Sequence, residues 1–90
     1  YLSCSEKTKR LATALTKAAE DNGLKVRRQY ADRAYWVQDL YILRKTKCPA
    51  VLTENLFQDN REDVAFLLTE EGKQKITDIH VEGICNYLGV

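Results

Sequence analysis

Methionine is absent from these 90 residues, and proline, histidine and tryptophan occur once each. A natural reading frame normally begins with Met. This one opens on Tyr1-Leu2-Ser3-Cys4, directly ahead of a helical pattern. It therefore reads as part of a longer protein, a single partial domain over residues 1–90. No apolar run approaches the roughly 18–20 residues of a membrane span, and no signal-peptide pattern leads the chain. An excess of one charge is missing too. Fourteen Lys and Arg face thirteen Asp and Glu, a formal net charge of +1, which supplies no global attraction to nucleic acid or anionic lipid and leaves only a local patch open. The three cysteines, Cys4, Cys48 and Cys85, are odd in number and form no CxxC. That pattern is neither a disulfide framework nor a zinc ligand set, which wants close pairs. It fits small buried or half-buried thiols.

What is present suits one soluble domain: 44% hydrophobic and 30% charged residues, with four glycines. Residues 3–22 have helical spacing. Leu11, Leu15 and Ala18 fall on one stripe, with Ala14 and Ala19 widening it, and the charged residues mostly take the other faces. Ser3 and Glu6 have capping-box spacing, with Ser5 as a rival cap. Asn22-Gly23 ends the segment, because glycine takes a left-handed backbone cheaply. Further along, Asn60 can cap a short helix through Asp63, and Thr69 a final one. The final helix carries Ile76, Ile79/His80, Gly83/Ile84 and Tyr87/Leu88 along its stripe, and Gly89 stops it. His80 lies on that packing stripe with no His or Cys at ligand spacing, so it reads as a structural or surface residue.

Between the helices, residues 24–38 have neither helical nor strand period and read as a long connection, a kind of segment often tied to function. Two short apolar runs follow, Leu40-Tyr41-Ile42-Leu43 and Ala50-Val51-Leu52-Thr53. Both suit buried strands, and the short link between them would force antiparallel pairing. The expected fold class is α/β: about three helices with two or three short strands.

Two places carry candidate chemistry. Glu54 follows an apolar run directly, at the strand end where open α/β sheets place their ligands. Partial desolvation there would suit general acid/base work, while the more ordinary reading of the position alone is a strand-end carboxylate paired with a nearby Lys or Arg. The connection interleaves Arg27, Arg28, Tyr30, Arg33, Tyr35 and Trp36. Such a stretch can pin a surface loop, wall a site for an acidic sugar-bearing peptide, or stack single-stranded nucleic acid.

The string Leu40-Tyr-Ile-Leu-Arg-Lys-Thr-Lys-Cys-Pro-Ala-Val-Leu-Thr-Glu54-Asn-Leu-Phe57-Gln-Asp-Asn60 resembles the C-terminal half of zinc-dependent N-acetylmuramoyl-L-alanine amidases, with their pattern VLR-x-T-x-x-PA-V-L-V-E-x-G-F-x-S-N. Gly83-Ile84-Cys85-Asn86-Tyr87 matches the family's closing GI-x-x-Y, and the first helix is similar to its S-x-x-L-A-x-x-L opening. Two positions depart: Leu56 stands for the usual Gly and Asp59 for the usual Ser. If that Gly serves a positive φ, Leu56 implies a different turn.

The resemblance implies the C-terminal part of an α/β amidase domain and a peptidoglycan hydrolase. Its reaction would cleave the amide between N-acetylmuramic acid and the L-alanine of the stem peptide. It implies one zinc-activated water, with Glu54 as general base and later as acid to the leaving amine. The zinc would belong to the parent protein, held by upstream His, Glu and His, with no metal ligands and no bound metal in this chain. Tyr35 and Trp36 become candidate substrate contacts. The implied partners are muramic acid and stem peptide, without nucleic acid and without a membrane span. The implied location is the cell envelope, periplasmic or extracellular, or a phage lysin. The alternative is a non-catalytic amidase-like domain that binds cell-wall peptide.

Overall fold

The computed structural model describes residues 5–28, 33 and 35–90. Ser3, Cys4 and Tyr30, which the sequence singles out, lie outside them. Among the described residues four helices appear in chain order: α1 (Glu6–Asp21), α2 (Tyr41–Lys45), α3 (Arg61–Leu67) and α4 (Glu70–Leu88).

Each longer helix starts where a side-chain oxygen meets a free backbone N–H. At α1 the cap is Ser5, whose hydroxyl accepts from the Thr8 N–H at 3.1 Å. Asn60 opens α3 by accepting from the Asp63 N–H at 3.0 Å, and the Asp63 carboxylate reaches back to accept from the Phe57 N–H. Thr69 serves two helices. Its hydroxyl accepts from the Gly72 N–H at 2.9 Å, opening α4, and donates to the Phe66 carbonyl at 2.6 Å, closing α3. The corner is so tight that a Cβ on Gly72 would lie 1.9 Å from that same carbonyl oxygen. At the far end of α4, Gly89 takes φ 78°, the left-handed terminus that its sequence position predicts.

The core is the crossing of α1 on α4. Ala12, Leu15 and Ala18 of α1 bury against Ile79 of α4. Gly83 lets the helices close: a Cβ there would fall 2.9 Å from the Leu15 Cα. Asn22 pins the end of α1 by donating to the Ala18 carbonyl and to the Glu82 carboxylate of α4 at 2.8 Å. Lys75 of α4 donates to the Asn22 carbonyl at 3.1 Å.

The expected α/β architecture is overturned. Helix takes 58% of the described residues, and among these no sheet forms. Leu40–Leu43 is not a strand: the Arg44 N–H closes a helical turn on the Leu40 carbonyl at 2.9 Å. In that turn Leu43 points inward while Tyr41 and Ile42 stand 72% and 71% exposed. A four-residue apolar run has no period to tell helix from strand. Residues 50–53 are extended, but a strand needs a neighbouring strand to satisfy its backbone. Here the Ala50 N–H is met instead by the Thr8 hydroxyl of α1 at 3.3 Å. Among the described residues, isolated bridge positions occur only at Val37 and Val51, and Val37 lies outside both expected strands. Of the cysteines, Cys85 is half-buried, as expected of a small thiol, whereas Cys48 is exposed, and both are free.

Candidate active site

After α2 the chain runs without helix from Val51 to Phe57 and lines, with residues of α1 and α4, a cleft of about 200 Å³. Ala12, Leu15 and Ile79 form an apolar floor. One wall is the start of the long connection, Leu24 to Arg27, together with Tyr35 and Trp36. Thr53, Glu54, Phe57 and His80 supply much of the remainder. The structure therefore brings all three sequence-predicted residues, Glu54, Tyr35 and Trp36, to one concavity.

Glu54 reaches this position from an extended segment rather than from the end of a paired strand, for want of a partner strand. Its side chain is exposed and not withdrawn from water as expected, and it forms no ion pair with a described residue. What holds its neighbour in place is His80. The His80 Nδ1–H donates to the Ile76 carbonyl at 2.8 Å. A carbonyl can only accept, so Nδ1 carries a proton, and Nε2 is in hydrogen-bond reach of the Thr53 hydroxyl, 3.2 Å away. His80 thus ties the segment carrying Glu54 to α4. The stripe places His80 on the packing face, but nothing in the sequence points to Thr53.

The turn after Glu54 is unusual for its residue type. Leu56 adopts φ 65°, the only positive-φ residue among the described ones that is not glycine. A different turn was expected only if the usual Gly serves a positive φ; Leu56 itself takes the left-handed conformation and bears its steric cost.

The sequence names Arg27 only as one of several cations that could wall a site, and does not single out Phe57. The Arg27 guanidinium lies 4.6 Å from the Trp36 ring centroid and 5.8 Å from that of Phe57. The Trp36 indole N–H donates to the Arg27 carbonyl at 3.0 Å. In the sequence Arg27 is only one cation among several. Its neighbour Arg28 is already paired with Glu20. No feature of the sequence links Phe57 to either.

Among the described residues, no three His, Cys, Asp or Glu side chains cluster closely enough to hold a metal ion. They do not fit a zinc site. Among the described residues no helix is long and apolar enough to cross a membrane.

Comparison with known proteins adds identity to this geometry. The chain is 36% identical over 88 residues to an endolysin of Bacillus phage SPP1, an alignment covering 98% of this chain and 30% of the endolysin. It is 37% identical over 59 residues to an uncharacterized cell wall amidase of Bacillus anthracis, covering 66% of this chain and 11% of that protein. The chain thus spans under a third of the length of these relatives. No solved structure matches it significantly. The profile of one family, N-acetylmuramoyl-L-alanine amidase, matches residues 2–86, nearly the whole chain including α1, the Glu54 segment and most of α4. The chain belongs to the N-acetylmuramoyl-L-alanine amidase family.

Proposed function

We propose that this chain forms part of a peptidoglycan amidase that hydrolyses the bond between N-acetylmuramic acid and L-alanine, with Glu54 as general base. The observation that carries the reading is the position of Glu54. It stands on the rim of the shared cleft, free of any ion pair with a described residue, on a segment tied down at Thr53 by His80. An unpaired carboxylate can take a proton from the attacking water and return it to the leaving amine. Tyr35 and Trp36 wall the same cleft and are assigned to the sugar and stem peptide. The names of the relatives support a site of action at the cell wall, as a phage lysin or as an envelope enzyme. Zinc is the family's general property, and its ligands are assigned to residues outside these ninety.

The test is Glu54→Gln in the longer enzyme that carries this segment. Gln keeps the size and shape of Glu but cannot accept the proton. The expected result is a kcat lower by roughly 10²–10⁴-fold, the usual contribution of a general acid/base, at unchanged zinc content. Loss of zinc along with activity would instead make Glu54 a metal ligand or the support of one. Unchanged hydrolysis would remove it from the chemistry. Wall-peptide binding without hydrolysis in the unaltered enzyme would favour a non-catalytic binding domain.

A further inference from the structure

We propose that Arg27 is a carboxylate-binding site: its guanidinium, set against the Trp36 and Phe57 rings at the cleft that Glu54 borders, holds an acidic group of the bound peptide. The role in substrate recognition rests on the amidase reading above; the site itself rests on the following geometry.

The cations around the long connection are not equivalent. Arg28 is bound by Glu20 and Arg44 by Asp39, so their charge is largely answered within the protein. Arg27 pairs with no carboxylate among the described residues, and its side chain makes no hydrogen bond to one. Two features hold it nonetheless. The Trp36 ring lies against the guanidinium while its N–H grips the Arg27 backbone, so one side chain fixes both ends of the residue. Phe57 approaches from the segment that carries Glu54.

Aromatic contacts favour a cation without taking the place of an anion. A guanidinium offers five N–H donors in a fork that matches a carboxylate. An arginine steadied by rings and left with those donors unspent is prepared for an anionic ligand, because less side-chain entropy is lost on binding. Lys25 lines the same wall two residues earlier. The lining of the cleft therefore includes two cations beside the Glu54 carboxylate, and the cations are the groups that would meet an acidic peptide. A carboxylate is favoured over nucleic-acid phosphates because the cleft measures only about 200 Å³ and Arg28 is already engaged. A polynucleotide would need a continuing row of open cations.

Trp36 is the only tryptophan, so its fluorescence reports on Arg27 directly. The experiment titrates the 90-residue chain with N-acetylmuramoyl-L-alanyl-D-glutamate, and with the same compound carrying both carboxylates as amides. The acid is expected to bind about 10–100-fold more tightly, the range of charge-assisted hydrogen bonds. Arg27→Ala should erase most of that preference by weakening the acid and sparing the diamide, and Arg27→Lys should retain part of it. Arg27 is exposed, and circular dichroism checks that each variant keeps its helix; Arg27→Gln serves if the alanine variant does not. Equal binding of acid and diamide overturns the proposal, as does a preference that survives Arg27→Ala. Tighter binding of oligothymidylate, weakening linearly in log salt, would overturn it in favour of nucleic acid. Hydrolysis, measured separately in the longer enzyme, keeps the two readings apart. Acid preference without hydrolysis leaves the Arg27 site standing and removes the amidase assignment; hydrolysis without acid preference does the reverse.

Discussion

Leu56 holds φ 65°, where a residue with a Cβ sits about 1–2 kcal/mol above its right-handed alternative. The half-buried side chain lines the cleft, so replacing Leu with anything smaller also loses packing. Comparing two truncations separates these effects. Leu56→Ala and Leu56→Gly lose nearly the same side chain, and only Gly relieves the backbone. Gly adds freedom to the unfolded chain, which costs roughly 0.5–1 kcal/mol, but the relief of strain outweighs that cost. The glycine variant should therefore be the more stable by about 0.5–1 kcal/mol, read as a higher urea midpoint. Equal midpoints would mean that the turn relaxes to a right-handed form. The consequence reaches Glu54, two residues earlier: its segment is anchored at Thr53 by His80 and bent at Leu56 by a conformation the fold must impose.

At the scale of elements, the close approach of α1 and α4 decides whether the cleft has a floor. Alanine at position 83 would favour helix formation by about 1 kcal/mol over glycine. Its Cβ, however, would fall 2.7 Å from Leu15 Cδ2 and 2.9 Å from the Leu15 Cα. The side-chain carbon can move, but the α-carbon moves only with the helix. Overpacking of this kind costs about 1–3 kcal/mol, so Gly83→Ala should lower stability in a denaturant melt despite its better propensity. A gain in stability would show that α1 and α4 separate freely. Gly83 was legible as a position on the α4 stripe, and the caps at Asn60, Thr69 and Gly89 were legible because capping is local chemistry. At α1 the spacing favoured Ser3 with Glu6, and the cap is the rival Ser5. Leu40–Leu43 was not legible, since four apolar residues fit either period and the outcome turned on which of them could be buried. Glu54 was legible from its place directly after an apolar run and again from the motif, and a cleft beside it was expected. The helix-built floor of that cleft was not, because the run was expected to pair as a strand. The Arg27–Trp36 contact joins residues nine apart across a segment without period, and His80–Thr53 joins residues 27 apart.

At the scale of the whole molecule, the accessible surface is 6574 Å², against the ~5,400 Å² that size scaling gives for a folded monomer of this mass. The radius of gyration, 13.3 Å, likewise exceeds the ~12 Å of a compact chain of this length. The fully buried apolar residues explain why: among the described residues they are Ala12, Leu15, Ala18, Leu43 and Ile79, and four of the five belong to the α1–α4 crossing. Elsewhere large apolar side chains such as Tyr41, Ile42 and Leu68 stay in water. Protection of backbone amides follows buried contact more closely than secondary structure, so stability should be uneven along the chain. Hydrogen exchange on the 90-residue chain should find the slowest amides in the middles of α1 and α4, near Leu15, Ala18, Ile79 and Gly83. The five-residue α2 should exchange quickly even though its amides are helical, because Leu43 is its only buried anchor. The segment from Val51 to Phe57 should be faster still than α4, with local protection near Ala50, whose N–H is held by Thr8. Uniform protection across all four helices would contradict this hierarchy and would require a core larger than the α1–α4 crossing. If it holds, a lasting arrangement of Glu54 and Arg27 depends on whatever steadies the extended segment, and ligand binding in the cleft should slow exchange there before it slows exchange in α1 or α4.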